Sequence, residues 1–212
     1  FLMIELKKKN FLFISLIMII FIMAILLTGE RSNSIKAILG ITFFVLFIKS
    51  INLKKKFVLI SATIILVLFF ISNYHYLKQR FDKQIKTSLM INKDNIYLLL
   101  YTSGFEVFKN NKLLGVGNKN YRVETCKPEN VNMYTCNTHP HQIYLEFLSE
   151  HGIFGTIFIF FILYKLIFSK IWTTLKQDNY IKLGALIYMI FVFTPIIPSG
   201  AFFSDYLLTI FC

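Results

Sequence analysis

FLFISLIMIIFIMAILLT, residues 11–28, carries no charged side chain, and Ser15 and Thr28 are its only hydroxyls. A helix of that length rises about 27 Å at ~1.5 Å per residue, close to the roughly 30 Å hydrocarbon core of a bilayer. Inside hydrocarbon every backbone N–H and C=O must be bonded within the protein, which leaves helices and closed barrels. An unbroken apolar run without period-two alternation selects the helix.

Working outward, four more runs have the same character: residues 34–51, 57–72, 152–168 and 183–198. The second carries Lys36 and Lys49 near its ends, where long side chains can reach the headgroups. A further apolar stretch, residues 202–212, is a possible sixth span. Hydrophobic residues make up 56% of the chain and mean hydropathy is +0.61, so lipid is its principal solvent. The predicted class is all-α: a polytopic transmembrane helical bundle, with residues 1–72 and 152–212 in the membrane and residues 73–151 forming a long loop domain outside it. The chain opens on Phe1 and closes on Cys212 within an apolar run, which reads as a fragment, the C-terminal half of a larger membrane protein. ELKKKN before the first span invites comparison with a signal peptide. The span exceeds the usual apolar core of one, and no small-residue cleavage site follows.

The net charge of +12 is not a nucleic-acid signature, because of where it falls. Lys7, Lys8 and Lys9 precede the first span, Lys49 and Lys54–Lys56 join the second to the third, and Lys165, Lys170, Lys176 and Lys182 join the fourth to the fifth. Alternate connections are thus lysine-rich, as cytoplasmic connections are. Residues 29–33 and 73–151 then face outward. Basic residues still outnumber acidic ones between residues 73 and 138, among them Lys78, Arg80, Lys119 and Arg122. Solvated surface lysines account for such an excess, and so does an anionic partner, either lipid headgroups or a phosphate-bearing substrate.

Within the loop, residues 76–110 show helical apolar spacing and predict one or two amphipathic helices near the membrane surface. Gly115 and Gly117 in LLGVGNKNYR mark a turn that needs unusual backbone angles or close approach. Cys126 and Cys136 flank KPENVNMYT; in an oxidising compartment they read as a disulfide closing a short loop. A zinc site using both cysteines with His139 and His141 is the alternative, although its spacing fits no common zinc pattern.

CNTHPHQIYLEFLSEHGIFG, residues 136–155, concentrates the polar chemistry. Pro140 holds His139 outside helical geometry, so a helix is predicted to begin at or just after Pro140. His141 would then sit in its first turn, where the positive end of the helix dipole disfavours protonation. An interfacial histidine that only hydrogen-bonds its loop is the plain reading, and a general base the sharper one.

HPHQIYLEFLSEHGIFG resembles the signature H-x-H-N-x-Y-L-x-x-L-x-E-x-G-x-x-G of the O-antigen ligase and polymerase family, with Gln142 in place of the commoner asparagine. LLTGERSN resembles that family's external arginine motif, with Ser32 for a usual glycine. EVFKNNKLLGVGNKNY resembles its loop segment P-L-x-G-x-G-x-x-x-[FY], with Lys112 for proline. PIIPSGAFFSD resembles a segment near the last external loop. The resemblance covers about residues 11–205. It implies a metal-independent glycosyltransferase of the C-type membrane superfamily, without cofactor, in the bacterial inner membrane with its long loop in the periplasm. The implied partners are an undecaprenyl pyrophosphate-linked oligosaccharide donor, a glycan or lipid A-core acceptor, and membrane lipids. His141 is then the base or acceptor-orienting group, supported by His139. Arg31, matching the arginine motif, and Arg80, matching only by approximate position, would hold the pyrophosphate, because the guanidinium fork binds phosphate oxygens bidentately. Glu146 and Glu150 are candidates to orient a histidine, and Tyr144 to pack in an interfacial aromatic belt. A transporter or scaffold for polyprenyl-linked glycans is the rival class. It predicts charged or broken helices at mid-membrane depth, and the polar residues collect instead at the external boundary.

Overall fold

A computed structural model describes residues 11–49, 51–89, 95–177, 179–195 and 197–204, and among these every regular element is helical. The possible span at 202–212 lies largely outside the described residues, as do Lys7–Lys9 and Cys212.

The chain divides into two compact units. The first contains α1 (Phe11–Leu27), α2 (Arg31–Phe47), α3 (Leu53–Asn73), most of α4 (His75–Leu89), α8 (Ser169–Lys176) and α9 (Tyr180–Val192). Asparagines start two of its helices: Asn52 accepts the Lys55 N–H at 3.0 Å, and Asn179 accepts that of Lys182 at 3.0 Å. α2 packs against α1, α3 and α9, and α8 against α9. Ile22, Leu26 and Val67 form a core joined by Ile38, Ile41 and Phe81. Lys56, placed in the sequence within a cytoplasmic connection, is buried and donates to the Leu46 carbonyl at 2.6 Å, where it caps the end of α2.

The second unit holds α5 (Ile96–Asn110), α6 (Tyr121–Thr125), a 3₁₀ turn at Pro128–Asn130, and α7 (Ile143–Leu163). α5 packs on α7 and α6. Val107, Tyr121 and Tyr134 make its loop core, pinned where the Tyr121 hydroxyl donates to Ser103 at 3.3 Å and Asn110 donates to Tyr134 at 2.6 Å. Cys126 and Cys136 are disulfide-bonded, so the two thiolates that the zinc alternative needs are not there.

Among the described residues two helices are long and apolar enough to cross a bilayer, Leu53–Asn73 and Ile143–Lys176; Ser15–Leu27 and Tyr180–Val192 are shorter apolar helices. The span expected at 34–51 is displaced toward the N-terminus, and that expected at 183–198 starts and ends early. α2 starts at Arg31 and stops at Phe47, and α9 stops at Val192, ahead of Pro195. α7 runs from Ile143, near the expected helix start, into the apolar run, and what was not expected is a break at Gly152 (φ 61, ψ −167) separating residues 143–151 from the apolar residues 153–163.

Candidate functional site

The break in α7 builds the frame of the site. Gly152 adopts a conformation open essentially to glycine alone, and a Cβ there would strike the Leu113 carbonyl. Helical bonds lost at the break are replaced from the strip at residues 112–117: Ile153 donates to the Lys112 carbonyl at 2.8 Å, Val116 to Ser149 at 2.9 Å and Gly117 to Glu150 at 2.8 Å. Gly115 (φ 69) and Gly117 (φ 94) take the backbone angles this path demands, and a Cβ at Gly115 would strike the Glu150 carbonyl.

The helix does not begin at Pro140. Gln142 is the N-cap, its side chain accepting the Leu145 N–H at 2.8 Å, and α7 starts at Ile143. His141 precedes the cap in a left-handed conformation (φ 55), so the expected dipole contact in a first turn is replaced by a tight loop. Pro140 is buried against Gly104 of α5, where a Cβ would come within 2.7 Å of the proline ring. The Ser199 N–H fixes the loop from the other side by donating to the His141 carbonyl at 2.9 Å.

This turn brings the two imidazoles together, with ring centroids 4.1 Å apart and planes tilted by 44°. His141 also meets the edge of Tyr97 at 6.2 Å. His139 Nδ1 lies 3.0 Å from the Thr138 hydroxyl, while its Nε2 is buried with no hydrogen-bond partner. The Ser199 hydroxyl is likewise buried and unpartnered. Burial, and then the neighbouring His141, push the His139 imidazole down to about 4; burial also lowers His141. Desolvation thus disfavours the protonated form of both rings, with His141 adding to the effect on His139 and the Ser199 backbone opposing it at both.

His139 lines an open cleft of about 400 Å³ together with Lys119, Arg122, Glu146, Glu150 and Phe203. Glu146 is buried, and both its carboxylate oxygens accept from the Phe202 N–H at 2.9 Å. Burial raises its carboxyl to about 7 against the opposing pull of that N–H. Glu150 accepts the Lys119 N–H at 3.0 Å, and burial raises it too. The carboxylates thus tie down the two loops that wall the cleft, through backbone N–H groups rather than through a histidine ring. Tyr144 stacks on Phe160 with centroids 5.9 Å apart.

In the first unit, Arg31 Nη1 donates to the Arg80 carbonyl at 2.8 Å, and the Arg80 guanidinium lies 5.5 Å from the Tyr76 ring centroid. The structure therefore gathers His139, His141 and Glu146 in one unit and Arg31 and Arg80 in the other. In the sequence Lys119 stands out only within the basic excess of the loop, Ser199 and Phe203 only within the PIIPSGAFFSD segment, and Thr138 not at all. The glycine-rich turn and the PSGAFF segment were the signals close to them. Among the described residues no group of His, Cys, Asp or Glu is arranged to hold a metal ion.

Among the described residues the chain is all-helical, with two helices long and apolar enough to cross a membrane and a close pair of imidazoles of which His139 lines the cleft. Residues 16–160, well over half of the chain, match the family model for O-antigen ligase, and the chain belongs to that family. No curated protein and no solved structure matches it.

Proposed function

We propose that the protein moves an oligosaccharide from undecaprenyl pyrophosphate to an acceptor sugar hydroxyl, as a polymerase or ligase of envelope glycans, without a metal. The observation that carries this reading is the imidazole pair, since two rings 4.1 Å apart and both lowered by burial are available as bases at neutral pH. The acceptor oxygen attacks the anomeric carbon as its proton passes to His141. The bond from that carbon to the pyrophosphate breaks, and the electron pair leaves on the phosphate oxygen. His139, which lines the cleft beside His141, supports it in shaping the acceptor site.

Arg31 and Arg80 hold the lipid diphosphate as its charge grows. In this reading the chain is polytopic in the bacterial inner membrane and residues 73–151 lie in the periplasm. The Cys126–Cys136 disulfide supports an oxidising exterior for that segment. Glu146 positions the segment at residues 199–203, and Tyr144 packs at the interface.

Mass analysis of envelope glycans with and without the gene tests the assignment. Altered glycan chain length indicates a polymerase, loss of glycan from its lipid anchor indicates a ligase, and unchanged glycans refute both. Arg31→Lys is expected to lower transfer by about tenfold or more, because a point charge loses the bidentate fork. Unchanged turnover in membrane fractions would remove Arg31 from the site.

A further inference from the structure

The strip at residues 112–117 exposes two large apolar side chains, Leu113 at 61% and Leu114 at 76%. Neither belongs to the cleft. Their backbone is laced to the first residues below the break in α7: Ile153 donates to the Lys112 carbonyl at 2.8 Å and Phe154 to that of Leu113 at 3.4 Å. Gly152 and Gly115 let the two chains approach until a Cβ on either would meet backbone. The strip is therefore held at the depth where the apolar half of the helix begins.

Below that level the helix is bare, with Phe154, Ile157, Phe158 and Phe161 all exposed. The 16 residues from Ile153 to Phe168 would rise about 24 Å at ~1.5 Å per residue, most of a hydrocarbon core of roughly 30 Å. Hydrocarbon thus begins close to Gly152, and Leu113 and Leu114 continue the apolar surface sideways at its edge. Part of the strip's polar backbone is paired within the protein, which lowers the cost of contact with lipid. Besides the two carbonyls, Gly115 N–H donates to Asn111 at 2.9 Å, Val116 N–H to Ser149 at 2.9 Å and Gly117 N–H to Glu150 at 2.8 Å. Lys112 beside it is exposed, as a residue at headgroup level is.

We propose that Leu113 and Leu114 are a membrane-seated anchor that inserts between lipid acyl chains of the leaflet next to the loop. The inference rests on the reading that residues 153–168 cross the bilayer. Lipid is favoured over a protein partner by continuity with the exposed phenyl face of α7. The anchor's consequence is positional. Residues 143–151 rise about 14 Å from the break to the N-cap, so the strip fixes how far the histidine loop stands above the acyl chains.

The test places one tryptophan at a time in full-length protein, in a Trp172→Phe background that removes the chain's single tryptophan. Leu114→Trp and Phe158→Trp are compared in phosphatidylethanolamine–phosphatidylglycerol nanodiscs with bromines on the acyl chains or iodide in the buffer. The anchor predicts quenching of both by brominated lipid, severalfold above quenching by iodide, with Leu114→Trp strongest for bromines near the headgroup. Quenching of Phe158→Trp alone, with Leu114→Trp open to iodide or shielded from both quenchers, overturns the anchor and leaves the span. Absence of lipid quenching at both positions overturns the span and the anchor together. If the tryptophan variant does not fold, Leu114→Cys carrying a nitroxide gives the same decision through its relative accessibility to oxygen and to a water-soluble nickel complex.

Discussion

Two halves of one helix, α7, obey opposite rules on either side of Gly152. In residues 143–151 the carboxylates are inside: Glu146 is 2% and Glu150 3% exposed, beside Phe147 at 0%. In residues 153–163 the phenyls are outside, with Phe158 at 63%. A helix in water buries phenylalanine and exposes glutamate along its whole length. The difference shows that the halves have different surroundings. The first is enclosed by its own unit, whose loops supply N–H groups to the acids. The second exposes an apolar face, which lipid covers in the proposed reading. The kink lies between the two, and the residues proposed for chemistry stand on the enclosed side.

Matched truncations give the largest contrast. Phe147→Ala is expected to cost about 3–5 kcal/mol, because it empties a filled site among Phe160, Phe202 and Phe203. Phe158→Ala should cost less than about 1 kcal/mol in lipid, where no cavity forms. Denaturant titration in mixed micelles reads both, and equal losses would erase the distinction between the halves. Next in size is Gly152→Ala, expected to destabilise by about 3 kcal/mol or more through backbone strain and collision with Leu113. Hydrogen exchange should then rise at residues 112–117 and 149–154 together, and a rise confined to Gly152 would detach the strip from the break.

A pH series sharpens the comparison on the enclosed side. Glu146 is raised from 4.5 to about 7 in the folded protein, so its carboxyl adds stability as pH falls from 7 toward 4.5. His139 is lowered from 6.5 to about 4, so its stability is full above 6.5 and is lost as pH falls toward 4. The two slopes oppose each other between pH 6.5 and 4.5. Relative to the parent protein, Glu146→Gln should lose stability on acidification across that window and His139→Gln should gain it. Identical pH profiles for the two variants would mean that neither group is held as described.

How much of this could be read from the chain follows the same division. Apolar runs announce α1, α3, α9 and the lower half of α7, because an unbroken apolar run is legible residue by residue. The glycine turn at residues 115–117 and the pairing partners Cys126 and Cys136 were also visible, since their cause is local. The helix of the upper half of α7 was predicted as well, but the burial of Glu146 and Glu150 was not, because only distant partners, the N–H groups of Phe202 and Lys119, make it possible. The helix start, expected at or just after Pro140, falls at Ile143 because of the left-handed turn at His141 and the Gln142 cap, with Pro140 seated against Gly104. Ser199 reaches His141 across 58 residues of chain, a distance no local pattern encodes.

Transfer by His141→Ala protein tests the account most directly, measured in membrane fractions supplied with polyprenyl pyrophosphate-linked glycan, with membrane insertion and disulfide formation monitored in parallel. The account predicts a fall of about 10²- to 10⁴-fold with insertion and the disulfide unchanged. Transfer at the parent rate from correctly inserted protein would contradict it.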